Sequence, residues 1–275
     1  MKRSIRTATI MAAISVTALM AQQGKKGPAP KSQNELKAIQ AVFTASQQNN
    51  PDGVITAAEE LLSKFKDTEF KDTVLMMEAQ SYQQKGDKDK AIIYAERALQ
   101  AKPDNFQAAL MLADLTVQGT REHDLDRDEK LAKADKYANQ AITSVTAAEK
   151  PNPQLSDQQW ADFKKDTIAQ AHDALGMSAL DRKDYDKAIS ELKIAVDGTA
   201  HPEPAYQVRL ASAYQSAGKN DEAIQLAEKI MNDSQVPQQI RSVAQSVRAS
   251  AVMAKNGGKP ATQSAPPQVE INRKQ

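Results

Sequence analysis

The chain has no cysteine among its 275 residues. That excludes disulfides, thiolate catalysis, cysteine zinc sites and the lipidated cysteine of a bacterial lipoprotein. Aromatic residues make up 4% of the sequence and tryptophan occurs once. No alternating β-branched runs occur, so little argues for a sheet, and the abundance of Ala and Gln points to an all-helical protein. Charge of one sign is also missing: 36 basic and 35 acidic residues leave a net +1. Without a phosphate-neutralising surface, nucleic acid is not an expected partner. Beyond residue 21 no apolar run is long enough to cross a bilayer. There is no HExxH, no phosphate-cradling glycine loop and no GxSxG, and only three histidines are present. No cofactor or metal is expected, and the reading is not that of an enzyme.

What is present begins with a basic segment, Lys2, Arg3 and Arg6, followed by the short apolar run Ile10 to Met20. This reads as a cleaved secretory signal over residues 1–21, with Val16-Thr17-Ala18 and Leu19-Met20-Ala21 as possible cleavage sites. The expected location is therefore periplasmic or extracellular. Residues 22–33, with Gly24, Gly27, Pro28 and Pro30, read as a flexible leader. From Asn256 the chain is Gly, Pro, Ser and Gln with little to bury, and 256–275 reads as a disordered tail.

The stretch from Asp72 to Asn105 organises the rest. Leu75, Ala79 and Tyr82 share one helical face, and Ala91, Ala95, Ala98 and Leu99 another, split by Gly86-Asp87 and closed by Pro103. Alanines let two helices approach closely, Gly86 tolerates positive φ, and Pro103 stops the second helix. Counted from Asp72, Tyr82, Gly86, Ala91, Ala98 and Pro103 fall at positions 11, 15, 20, 27 and 32. In this pattern the stretch resembles the tetratricopeptide repeat, whose period is 34 residues. It departs from that family at Leu75, Glu78 and Ala79, where Trp, Leu and Gly are usual.

The resemblance extends along the chain. Ala57 lies 34 residues before Ala91, which makes 38–71 a degenerate first repeat with a turn at Asn50-Pro51-Asp52-Gly53 and a second helix from Val54 to Phe65. Phe106 opens another, with Leu112 and Ala113 at positions 7 and 8. Its second-helix alanine, due at 125, is Ala134, so nine residues have been inserted, within the loop 119–130. Pro151-Asn152-Pro153 makes a loop, and Ser156 with Gln159 forms a capping box that opens a helix of about 25 residues, roughly 38 Å. That helix carries an N-terminal overhang into the repeat at 157–203. Leu210, Ala211, Tyr214, Gly218 and Ala223 mark the repeat at 204–235, and 237–255 reads as a solvating cap helix. The expected fold is all-α, an α-solenoid of antiparallel helix pairs over 34–255, about five repeats and a cap.

In the family, the first helices line a concave groove that takes peptides. The resemblance places Met76, Gln80, Gln83 and Gln84 there, then Leu110, Asp114 and Val117, then Asp173, Met177 and Leu180, then Val208, Ser212 and Gln215. Family members that grip a terminal carboxylate use Lys and Asn at two of these places. Here Met76 and Gln80, or Leu110 and Asp114, stand instead, and Arg209 is the lone basic groove candidate. The implied function is a scaffold binding a protein or peptide of unknown identity.

Four other features have alternative readings. Trp160 and Phe163 on the overhang could form a secondary surface that docks a partner or a second copy, or could fold back on Ile142 and Val145 as local core. Asp124, Asp126 and Asp128 alternate like the start of a calcium loop, but Glu129 replaces the obligatory glycine and Asp135 the final Glu. An acidic helix start explains them equally. His123 with Asp124 and Asp126 is the one cluster that an accessory role in catalysis could use. His172 sits beside Asp173, but adjacent helix residues diverge by about 100°, so packing is expected of it.

Overall fold

The computed structural model describes residues 27–151 and 154–258. The signal segment, the first residues of the expected leader, Asn152-Pro153 and the tail from 259 onward lie outside the described residues. Among those described, all regular structure is helical: α1 (Gln33–Gln47), α2 (Pro51–Lys64), α3 (Lys71–Gln84), α4 (Lys88–Ala101), α5 (Phe106–Gly119), α6 (Arg127–Ala147), α7 (Asp157–Asp181), α8 (Tyr185–Gly198), α9 (Pro204–Ser216), α10 (Asn220–Asn232) and α11 (Gln238–Lys255). None of these helices is long and apolar enough to cross a membrane. The helices fall into two compact units that divide between Ala108 and Ala109.

In the first unit the core is Ile39 and Val42 of α1, Val54, Ala58 and Leu61 of α2, and Phe70, Val74 and Met77 at and along α3. The helix α4 joins through Ala91, Ala95 and Ala98, each fully buried. Alanine at successive turns of one face removes side-chain bulk, so the backbone of α4 can come close to its partner. The second unit repeats that column with Ala134, Ala138 and Ala141 on α6, and with Ala188, Leu192 and Ala195 on α8. On α10 it becomes Ala223, Ala227 and Ile230. The C-terminal helix α11 closes the unit with Ile240, Ala244, Val247 and Ala251 against α9 and α10.

One turn design joins four of the helix pairs. A residue with positive φ follows the first helix: Asn49 at 51°, Gly86 at 79°, Lys183 at 62° and Gly218 at 73°. The next residue donates its N–H five residues back, Asn50 to Ala45, Asp87 to Tyr82, Asp184 to Ala179 and Lys219 to Tyr214, at 2.9–3.0 Å. These bonds satisfy carbonyls that the helix end would leave orphaned. In three of the four turns the same residue caps the next helix, since Asn50, Asp87 and Asp184 accept from the N–H of Gly53, Lys90 and Lys187.

Three local features differ from, or sharpen, the sequence expectations. The turn expected at 50–53 is already helix from Pro51, because Asn50 caps it and proline suits the first helical position. The stretch 27–32, within the expected flexible leader, is held: the Ala29 N–H donates to Glu69 at 3.0 Å, and the Lys31 ammonium to the Asp67 carbonyl and carboxylate at 2.6 and 2.8 Å. The long helix α7 does open with the Ser156–Gln159 capping box, its two reciprocal bonds at 3.1 and 2.9 Å.

Candidate functional site

The side chains that the resemblance assigns to a groove lie at very different depths. In the first unit Met76 is buried, Gln80 half-buried, and Gln83 and Gln84 exposed. The Gln84 amide donates to Asn49 at 2.7 Å, which ties the end of α3 to the turn after α1. In the second unit Leu110, Val117, Asp173, Leu180, Val208 and Ser212 are buried, while Asp114, Met177 and Gln215 are half-buried. Position 5 of the repeat, held by Met76, Leu110, Asp173 and Val208, is thus inside the packing at every occurrence. The accessible chemistry on these faces is amide, thioether and carboxylate.

Polar groups on these faces are joined across neighbouring first helices of the second unit. The Gln170 amide of α7 donates to Asp114 of α5. One turn further along α7, Asp173 accepts from the guanidinium of Arg209 on α9, and both side chains are almost fully buried. Arg209, the basic groove candidate, is therefore committed to an internal ion pair. Ser212 turns its hydroxyl onto the Val208 carbonyl of its own helix at 3.0 Å. Asp181, at the far end of α7, is half-buried; burial pushes its pKa up to about 6 although Arg127 and Arg182 pull it down.

The overhang of α7 carries Trp160 and Phe163, both half-buried, with ring centroids 5.4 Å apart and planes within 12°. The Lys164 ammonium lies 5.3 Å from the Trp160 centroid and donates to the Thr146 carbonyl at 2.9 Å. The second tie is Lys150 to Asp157, at 2.6 Å. The aromatic pair therefore sits on a helix end pinned to the last turn of α6.

In the inserted segment, Asp124 and Asp126 both turn onto the Lys130 ammonium at 2.9 Å. Asp124 also accepts the Arg121 N–H at 3.1 Å, and burial is outweighed by these bonds, which hold its carboxyl below the usual range. Asp126 is the residue before α6, and Asp128 and Glu129 occupy its first turn, where acidic side chains favour the positive end of the helix dipole. Among the described residues, no three His, Asp or Glu side chains converge to hold a metal ion. His123 is exposed. His172 lies 2.7 Å from Glu191 of α8, each 19% exposed, an interhelical contact.

Two arrangements escaped sequence reasoning. Asp166 of α7 organises the connection after α8: one carboxylate oxygen accepts from the Thr199 hydroxyl and from the N–H of Ala200 and His201, and the other faces His201 Nδ1 at 2.6 Å. Its partners lie 33–35 residues away, and no local pattern announces them. Glu78 of α3 is fully buried beside Tyr94 of α4. Its sequence signal was a charged residue in a place where the repeat is apolar.

Comparison with known proteins accords with this architecture. The tetratricopeptide-repeat family matches residues 73–105 and again residues 174–237. A thermophilic tetratricopeptide-repeat protein from Thermus thermophilus is similar in structure, with a TM-score of 0.52 at 19% identity, over 80% of this chain and 99% of that one. A tetratricopeptide-repeat protein from Parabacteroides merdae aligns with a TM-score of 0.46 at 15% identity, over 82% and 88% of the two chains. No curated protein sequence matches.

Proposed function

We infer that this chain, a tetratricopeptide-repeat protein, is a non-enzymatic scaffold that holds a protein or peptide partner on the faces of its first helices, after export to the cell envelope. The observation that carries this reading is how those faces are built. Their charged groups are engaged within the chain: Asp173 pairs with Arg209, and Asp114 accepts from the Gln170 amide. Outside these bonds, the accessible side chains include Gln80 and Gln83 in the first unit and Met177 in the second. Amides satisfy the backbone of an extended segment, and a thioether adapts to varied apolar side chains. Helices held by internal bonds give up little freedom on binding, so more of the contact energy appears as affinity.

Export is supported by the order of the first residues, Lys2, Arg3 and Arg6 before the apolar run Ile10–Met20. The non-enzymatic reading is supported by the commitments of the ionisable side chains. Asp124 and Asp126 of the insertion turn onto Lys130, and His172 and His201 each face one carboxylate of a neighbouring element.

Photo-crosslinkers at Gln80, Met177 and Trp160, in the processed protein in its native host, test the assignment. One abundant partner captured from Gln80 or Met177 supports it. Adducts from Trp160 alone move the binding surface to the overhang, and adducts there to a second copy identify self-assembly. Silence at Gln80 and Met177 overturns the proposal.

A further inference from the structure

The seventh place of the first helix is a buried leucine at Leu112, Leu175 and Leu210. In α3 it is Glu78, with a relative exposure of 0%. Both of its carboxyl oxygens are buried without a well-formed hydrogen bond. The groups that face it come from each neighbouring helix of the unit. Glu59 of α2 carries like charge and opposes ionisation, while the Tyr94 hydroxyl and the more remote Arg97 of α4 favour it. Burial outweighs them all and pushes the pKa up to about 7. Arg97 is turned elsewhere, its guanidinium 4.9 Å from the Tyr94 ring centre. Tyr94 itself stacks on Tyr82 of α3, centroids 5.1 Å apart, and the Lys90 ammonium lies 5.1 Å from the Tyr82 ring. Burial also pushes the Tyr94 phenol up to about 12, so it remains a neutral hydrogen-bonding group.

A neutral carboxyl can share a proton with a phenol at little cost, whereas a carboxylate in the same place, fully buried and near the like charge of Glu59, is costly. We propose that Glu78 is a proton-operated latch of the first unit: protonated, it lets α3 and α4 close over Tyr94, and ionised, it loosens that pair by requiring hydration. A helix pair whose seventh position is leucine has no titratable group at that place. Because α3 also carries Gln80 and Gln83, the latch sets how firmly that face is presented.

Hydrogen exchange of the α3 and α4 amides, in the whole protein between pH 5 and 8, tests the latch once the intrinsic pH dependence of exchange is removed. Relative to Glu78→Gln, wild-type protection should fall on the order of 50-fold across that range. Glu78→Leu, which installs the residue found at Leu112, Leu175 and Leu210, should be as flat as Glu78→Gln. Glu59→Gln removes a like charge, so the decline should end at lower pH; a merely structural glutamate would not move it. A wild-type profile parallel to both Glu78 variants overturns the proposal. No ligand enters the measurement, so its failure leaves the partner-binding assignment untouched.

Discussion

Asp173 of α7 and Arg209 of α9 form an ion pair inside the second unit, their side chains only 4% and 8% exposed. Removing two charges from water is costly, and their attraction offsets that cost only while both are present. Asp173→Leu or Arg209→Met alone should therefore destabilise the protein by about 3–5 kcal/mol in urea unfolding. The double variant Asp173→Leu/Arg209→Met should recover most of that loss. Additive effects of the two positions would mean that the charges do not depend on one another.

Gly176 of α7 is pressed against α8. A Cβ at this position would stand 2.5 Å from Leu192 Cγ and 2.9 Å from its Cδ2. Leu192 is fully buried and cannot retreat into solvent. Gly176→Ala should cost about 1–3 kcal/mol through overpacking. Leu192→Ala should cost less in the Gly176→Ala background than in the wild type, because the new methyl group fills part of the space that the leucine leaves. Equal costs in the two backgrounds would show that the helices shift apart rather than compress the contact.

The sequence made the helix pairs legible because close helix contact demands small residues at a fixed period, and Ala91, Ala95 and Ala98 report that demand directly. Depth was harder to read. Met76, Leu110, Asp173 and Val208 share one repeat position, and all four are buried. In the second unit, first helices also pack on one another, as the Asp173–Arg209 and Gln170–Asp114 bonds show. A repeat pattern gives the face of each helix, but it does not say which other helix covers it. The Asp166 hub was invisible for a related reason: Asp166 and His201 meet only because α8 returns the chain to the start of α7's repeat.

Lys183 occupies the left-handed place that glycine fills after α3 and α9, at φ 62°. A side chain there is held close to its own backbone, at a cost that glycine avoids. Its ammonium lies 3.4 Å from Glu122, but both side chains are more than half exposed, and such pairs contribute little. Lys183→Gly should therefore raise stability by about 0.5–1 kcal/mol. Gly86→Ala and Gly218→Ala should lower it by about 1 kcal/mol each. Thermal unfolding midpoints check both signs, and a loss on Lys183→Gly would show that the lysine contributes more than its strain.

The second unit carries two carboxyls whose pH effects have opposite signs. Burial raises Asp181 from 3.8 to about 6, so the folded chain holds this proton more tightly than the unfolded chain does. The stability it contributes is fully present below pH 3.8 and is lost as pH rises through about 6. Burial also acts on Asp166, but His201, the Thr199 hydroxyl and two backbone N–H groups outweigh it and hold its pKa below 3.8. The stability from Asp166 is present above pH 3.8 and is lost as pH falls through its lowered pKa. In a Glu78→Gln background, which silences the first unit's buried carboxyl, urea unfolding should be hardest near pH 4–5 and ease toward pH 7 by about 1–2 kcal/mol, a figure discounted for the partial exposure of Asp181. Asp181→Asn should abolish that decline while leaving the acid limb intact, and Asp166→Asn should weaken the acid limb while keeping the decline. If Asp181→Asn keeps the full decline between pH 5 and 7, another group of the second unit takes up the proton.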